Sequence, residues 1–339
     1  MNRLRSLRTA AVTIAAAALI APALVALSGP ANAGSVKRHD VDIYKVEAFV
    51  ELGGEFPDNE AHEHAFCHDG DVALDGMWKV DSYETPNETE GVYGDKRSVN
   101  ATESWPATEA DLTEKWHFWF INHGTGRATI KLFVTCLVTE TGHRAGHSHD
   151  ITVSERYSIP FGVVDGTEVS PFDGCPAGHI AVSPGYKMAD QSSTLRLQGS
   201  FPSGDGKDWR WNFSGTGENL VTFYLSCLKI HVSTEQGPDD EVGKKHTHDL
   251  DLGWMPSTAG LLTSTPMGND QQVTMSAAWR DFAAVGAFYN MAPATTTYLG
   301  QDARGRKRDF KFWNAGPGNS SVYTAILSLH KRTSPQLKP

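Results

Sequence analysis

The chain has 339 residues, of which 40% are hydrophobic and 21% are charged, and its formal net charge is −10. This length suits two or three domains. The acidic excess argues against a nucleic-acid partner, because phosphates bind to basic surfaces. It is typical of a soluble extracellular protein, or of one that attracts cations.

The first 33 residues resemble a secretory signal peptide. Three arginines precede an apolar stretch over residues 10–27, and Ala31-Asn32-Ala33 forms a small-x-small cleavage site. A membrane anchor is the alternative, since about 18 apolar residues can just span a bilayer. The alanine-rich stretch and the cleavage site favour removal. We therefore expect a secreted protein without a membrane span, with 27 basic and 40 acidic residues and a net charge of −13.

The rest of the chain contains an internal repeat. With an offset of 101 residues and no gap, Trp211 aligns with Phe312, and Cys227 aligns with Ser328. An offset of 91 aligns Cys136 with Cys227. A Gly-x-Gly precedes the Cys or Ser at the same distance in all three copies. The sequence therefore predicts three related modules.

Each copy has the pattern of a β-hairpin. Aromatic runs such as Trp209-Arg210-Trp211-Asn212-Phe213 alternate with period two, Gly-x-Gly allows a tight turn, and a second apolar strand follows. We predict an all-β protein of three tandem β-sandwich-like modules, two of them with an internal disulfide. The predicted boundaries are a signal peptide over residues 1–33 and modules over 40–154, 171–252 and 272–332.

The repeat also predicts how the four cysteines pair. In an exported protein they are expected to form two disulfides. The repeat places one early and one late cysteine in each of the first two modules, which predicts Cys67–Cys136 and Cys175–Cys227. The third module has Ser276 and Ser328 at the equivalent positions and therefore lacks this disulfide.

The segment from Cys175-Pro176-Ala177-Gly178 to Val182-Ser183-Pro184-Gly185-Tyr186 carries a family resemblance. It resembles the Cys-Pro-x-Gly and Val-x-x-Gly-Tyr modules of secreted actinobacterial proteins. The resemblance covers about 55 residues well and implies an exported β-module. The sequence departs from the family at Ser183-Pro184, where consecutive glycines are usual.

Two His-x-His-Asp tetrads follow the second cysteine of the first two modules, and both lie where a strand is expected to begin. On a strand, residues i and i+2 share a face, so two imidazoles can reach one ion. Imidazole favours zinc or copper, and the aspartate can orient or supply a ligand. The alternative is a polar strand entry without a ligand. The predicted metal-site residues, up to one ion for each tetrad, are His147, His149, Asp150, His246, His248 and Asp249.

An enzyme is the weaker interpretation. His143 to His149 superficially resembles the His-x-His end of lysostaphin-like zinc endopeptidases, with His68 to Asp71 upstream. The upstream spacing is one residue short, and the glycine-rich strands between the two motifs are missing. Phosphate-binding loops and Gly-x-Ser-x-Gly elbows are also missing. We therefore predict no catalytic activity and no catalytic residues.

The tryptophans offer one further candidate site. Trp119 and Trp211 are assigned to the core, whereas Trp105 and Trp254 lie in loop-like contexts that suit contact with sugar rings. The leading prediction is a secreted or envelope-associated structural or adhesive protein. Metal binding and carbohydrate binding are the alternatives. The expected partners are a cell-surface glycan or further copies of the chain.

Overall fold

A computed structural model describes most of the chain after the predicted signal peptide, which itself lies outside the described residues. The described ranges are 38–54, 57–84, 95–109, 114–144, 147–154, 156–232, 246–256, 260–262, 271–276, 281–291, 296–304, 306–314 and 320–337. For 246–247, 254–256, 260–262, 271–276, 304 and 335–337 only the backbone is described. No helix in these ranges has the length and apolar character needed to cross a membrane.

The described residues fold almost entirely into strands, as predicted. The first part of the chain forms β1 (Ile43–Leu52), β2 (Glu60–Phe66), β3 (Val72–Glu84), β4 (Val99–Thr108), β5 (Glu114–Asn122) and β6 (Arg127–Leu137), with a 3-10 turn at Lys96–Ser98. The middle part forms β7 (Tyr157–Val164), β8 (Glu168–Val169), β9 (His179–Met188), β10 (Arg196–Pro202), β11 (Trp209–Ser214) and β12 (Glu218–Lys229).

The described residues in the last part of the chain also form strands. They form β13 (His246–Asp249), β14 (Leu252–Pro256), β15 (Gly260–Leu262), β16 (Gln271–Ser276), β17 (Phe282–Met291), β18 (Thr296–Arg304), β19 (Lys307–Asn314), β20 (Ser320–His330) and β21 (Ser334–Leu337). The segments between the predicted modules are more than linkers, since they contain β7, β8, β14 and β15.

Three large antiparallel sheets contain most of these strands. Sheet I has the order β1-β6-β3-β18-β19-β16, sheet II β2-β5-β4-β9-β12-β7, and sheet III β14-β20-β17-β10-β11-β8, with β15 also on β20. Each predicted module thus contributes to two sheets, and each sheet joins two modules. Residues 33–339 accordingly form one compact unit. A separate pair, β13 and β21, joins the C-terminal segment to the second tetrad.

The core follows from the period-two patterning of the strands. In β11, Trp209, Trp211 and Phe213 are buried while Arg210 is exposed. In β5 the inward positions are Trp116, Phe118 and Phe120. Because side chains alternate between faces, Trp119 points the other way, stays partly exposed and packs on His62. The assignment of Trp211 to the core is confirmed, and that of Trp119 is wrong.

Both predicted disulfides, Cys67–Cys136 and Cys175–Cys227, are present. Cys136 lies on β6 opposite Ala73, and Cys227 lies on β12 opposite Ala181. In the third module, Ser328 on β20 lies opposite Ala284 and donates a hydrogen bond to the Gly253 carbonyl instead.

The backbone at Ser183 has an unusual conformation, which its side chain helps to stabilise. Ser183 has φ of 55°, a left-handed conformation that favours glycine, at a bulge between β9 and β12. Its buried hydroxyl donates a 2.6 Å hydrogen bond to the Ala73 carbonyl on β3. The serine therefore offsets backbone strain with a hydrogen bond that glycine cannot make.

Candidate metal centre

Histidines from distant parts of the chain meet in one buried cluster. Ligand atoms of His39, His149 and His248 all lie within 4.8 Å of one another. The side chain of His147 lies beside them, with its ring centroid 4.8 Å from that of His39 and 4.9 Å from that of His149. Exposure is 1% for His39 and His149, 0% for His248 and 8% for His147. We call these four residues the histidine cluster.

Backbone pairing near the chain termini positions His39 and His248. The carbonyl of His39 accepts a 2.9 Å hydrogen bond from the Thr333 amide, just after β20. His248 lies on β13, opposite Pro335 of β21, and its carbonyl accepts from the Val232 amide. The cluster therefore forms where the segment before β1, strand β13 and the C-terminal segment come together.

A loop after β6 supplies the other two histidines. His149 exchanges hydrogen bonds with Thr141: its carbonyl accepts from the Thr141 amide, and its own amide donates to the Thr141 hydroxyl at 2.9 Å. His147 and Arg144 pair through their backbones in the same loop. Since i and i+2 share a face of an extended segment, both imidazoles reach the cluster.

Hydrogen bonds outside the cluster orient two of the rings. Nδ1 of His39 lies 3.1 Å from the Gly142 carbonyl oxygen, which can only accept, so Nδ1 carries the proton and Nε2 presents a lone pair. Nδ1 of His248 lies 2.8 Å from Oγ1 of Thr333, which also accepts from the backbone amide of His39 at 3.0 Å. A carbonyl partner fixes the tautomer of a neutral metal-ligating histidine, and both kinds of contact restrain the orientation of the ring.

The arrangement suits a first-row transition metal. Tetrahedral zinc with nitrogen ligands at about 2.0–2.1 Å requires nitrogens about 3.3 Å apart, so modest side-chain rotations bring the three ligand atoms into range. Neutral imidazole suits zinc and copper, whereas calcium and magnesium prefer oxygen. The cluster itself contains no carboxylate or thiolate.

The structure brings together parts of both tetrads predicted from the sequence. His147, His149 and His248 belong to one cluster, whereas the sequence pattern predicts up to one ion for each tetrad. Neither aspartate is part of the three-residue ligand group. Asp150 is exposed, and Asp249 forms an ion pair with His231. The side chain of His246 lies outside the described residues.

Sequence reasoning missed His39 and Thr333. His39 stands alone in the sequence, without a neighbouring histidine, and Thr333 lies 294 residues away from it. The hydrogen bond between His39 and Gly142 spans 103 residues. A local motif search cannot detect such a pairing. The only available signal was that one further histidine closely follows the predicted cleavage site.

A second group of histidines lies on the outer face of sheet II but does not converge in the same way. The ring of His117 lies 5.1 Å from that of His62 and 4.7 Å from that of His64. Burial lowers the pKa of both His62 and His64, and the nearby His117 lowers each further. Burial raises the pKa of Glu103, but hydrogen bonds from His117 and Trp105 offset this, and its pKa is lowered overall.

The residues that suggested a zinc peptidase or a carbohydrate-binding protein lie outside the histidine cluster. His68 is exposed, and Asp71 accepts a 2.7 Å hydrogen bond from the Tyr44 hydroxyl, so the peptidase-like pair is not part of the cluster. Trp105 is partly exposed, but Tyr224 stacks on it at 4.7 Å and covers one face. Both tryptophans lie on strands, Trp105 on β4 and Trp254 on β14, so the expectation of loop-like contexts is wrong. The side chain of Trp254 lies outside the described residues.

Comparison with known proteins does not add a function. The chain matches no protein-family model, and none of the curated proteins compared with it is significantly similar.

Proposed function

We propose that this is a secreted, non-catalytic metal-binding protein in which His39, His149 and His248 bind one zinc or copper ion and His147 supplies a fourth imidazole. The observation that carries this proposal is the burial of these imidazoles around one point, with ligand atoms of three of them within 4.8 Å. Neutral imidazoles that converge in this way are the ligands that zinc and copper favour.

A structural role for the ion follows from the place of the cluster in the fold. A site closed by four protein ligands leaves no position for substrate, which is typical of structural zinc. The ligands come from the segment before β1, the loop after β6 and strand β13. An ion held there would fasten the segment before β1 to the loop after β6 and to β13, which suits a structural or adhesive protein outside the cell.

The two disulfides are consistent with the proposed secretion of the protein. Two disulfides are compatible with maturation in an oxidising compartment, and the predicted signal peptide would provide export. Binding of a cell-surface glycan or of further copies of the chain stays a secondary proposal, supported by the partly exposed Trp105.

Metal analysis of the secreted protein, purified without a histidine tag or chelator, tests the proposal. We expect one zinc or copper ion per chain, and about the same stoichiometry by calorimetry after stripping and reloading. His149→Ala and His248→Ala should each reduce affinity at least 100-fold, because each removes a ligand of the same ion. His143→Ala is the matched control, since His143 lies in the same loop but is exposed.

Two outcomes would contradict the proposal. The first is absence of zinc and copper binding at neutral pH in protein whose disulfides are intact. The second is binding of two ions, one lost in His149→Ala and the other lost in His248→Ala. That pattern would favour two separate tetrad sites over one shared centre.

A further inference from the structure

A buried arginine in the third module occupies a position that is tryptophan in the other two. In each of the strand pairs β4–β5, β10–β11 and β18–β19, a bulge shifts the register. The last residue of the first strand before the bulge pairs with a phenylalanine of the second strand: Phe120, Phe213 and Phe312, respectively. Four residues before these phenylalanines lie Trp116, Trp209 and Arg308, respectively. The ungapped sequence offset of 101 instead aligns Trp209 with Phe310, because the connection after β19 is longer.

Arg308 is 1% exposed, and backbone and hydroxyl oxygens hold its guanidinium in place. Its Nη2 donates to the Thr135 hydroxyl and to the Ala284 carbonyl, and its Nη1 donates to the Lys307 carbonyl. The buried Nε–H has no acceptor among the described residues. A guanidinium has five N–H donors, so part of its donor capacity is unused.

No carboxylate in the described part of the chain lies within ion-pair distance of Arg308. Asp75 and Asp302 are the acidic groups whose charges act on it from farther away. Burial raises the pKa of Asp75 to about 7, which the charge of Arg308 only partly offsets. Asp75 is therefore substantially protonated near neutral pH and neutralises the guanidinium incompletely. Buried charges are rarely left without a partner.

Arg308 lines a pocket of about 220 Å³ with a basic rim. Exposed Arg306 and Lys331 lie at its rim, and Lys45 lines it as well, although Lys45 also pairs with Glu47. Tyr44 and Thr135 also line the pocket. Such a concentration of positive charge is unexpected in a chain with a formal net charge of −10.

We propose that this pocket binds a small oxyanion, a phosphate or a carboxylate group, with Arg308 as its fixed donor and Arg306 and Lys331 as the cations at its entrance. Charge-assisted hydrogen bonds between guanidinium or ammonium groups and such an anion are among the stronger ones. The pocket is large enough for an organic molecule that carries the anionic group.

Calorimetry with inorganic phosphate and with acetate, at constant ionic strength, tests the proposal and separates the two ligand classes. We expect millimolar or tighter binding of at least one of them, weakening as sodium chloride is added. Arg306→Ala/Lys331→Ala should reduce this affinity at least tenfold while leaving the fold unchanged, because both side chains are exposed. Arg127→Ala/Arg210→Ala removes the same charge from exposed positions outside the pocket and should have little effect.

Replacing Arg308 by Trp, the residue at the equivalent positions, should abolish anion binding if the variant folds. The rim variant tests the site independently of that folding. His248→Ala should bind the anion as the natural protein does, which separates this pocket from the histidine cluster. Failure of both anions to bind at 10 mM, or equal affinity in the rim and control variants, would overturn the proposal.

Discussion

Thr333 is the most informative position at which to test the histidine cluster, because its hydroxyl contacts two of the four histidines without being a ligand. Oγ1 lies 3.0 Å from the backbone nitrogen of His39 and 2.8 Å from Nδ1 of His248. Thr333→Val removes this hydroxyl with almost no change of shape. Thr333→Ser keeps it and removes only a methyl group, so the two variants form a matched pair.

The expected losses follow from these two hydrogen bonds. Each buried group left without a partner costs about 1–3 kcal/mol, so the free energy of unfolding of the metal-free protein should fall in Thr333→Val. Loss of a hydrogen bond that orients a ligand typically reduces metal affinity about 10–100-fold. At a zinc concentration of about 100 times the natural Kd, zinc stabilises the natural protein by about 2.7 kcal/mol. A 100-fold weaker variant would gain only about 0.4 kcal/mol under the same conditions.

Two measurements separate a positioning role from a purely structural one. Competition with a chromogenic chelator gives the zinc affinity of the folded protein, and denaturant unfolding with and without zinc gives its stabilisation. A structural role alone would lower stability in metal-free protein and leave the affinity unchanged. The reasoning is refuted if Thr333→Val binds zinc as the natural protein does, or if Thr333→Ser is as weak as Thr333→Val.

The remaining predictions concern stability. Cys175→Ser/Cys227→Ser opens a disulfide with a sequence separation of 52, which should lower the free energy of unfolding by about 4 kcal/mol in denaturant titrations; a loss below about 1 kcal/mol would contradict the chain-entropy account. Asp75 has a pKa of about 7 in the fold, above its ordinary value, so its stabilising contribution is complete below about pH 4 and is lost as the pH rises through 7. Between pH 5 and pH 8 the stability of the natural protein should therefore fall relative to Asp75→Asn by about 3 kcal/mol, and parallel pH profiles would exclude this role.

The sequence predicts those features whose physical cause is local. Alternation in Trp209-Arg210-Trp211-Asn212-Phe213 reports directly on which face of β11 is buried, and the strand has the predicted pattern. The two disulfides could be predicted because the repeat carries their spacing. Trp119 was assigned wrongly because the aromatic run in β5 is continuous, so composition alone does not reveal which residues face inward.

The histidine cluster could be predicted only in part, because its geometry depends on pairings between distant segments. The His-x-His spacing predicts that His147 and His149 share a face, and their ring centroids lie 4.9 Å apart. Their meeting with His248 depends on the path of the chain through three shared sheets, which the pattern of either tetrad does not encode. The same holds for Arg308, whose significance appears only when the strand registers show tryptophan at its two equivalent positions.

The topology gives a physical reason for an ion at this place. The strands of the three modules close a ring of sheets, and sheet I joins the first module to the third through one register pair, Lys79 with Gly300. The third module also lacks the internal disulfide that the first and second modules have. The third module is therefore the one without a covalent constraint of its own. The histidine cluster includes His39 from the segment before β1 and His248 from β13, which pairs with the C-terminal strand β21. An ion bound there would add a constraint between these segments, which neither disulfide joins.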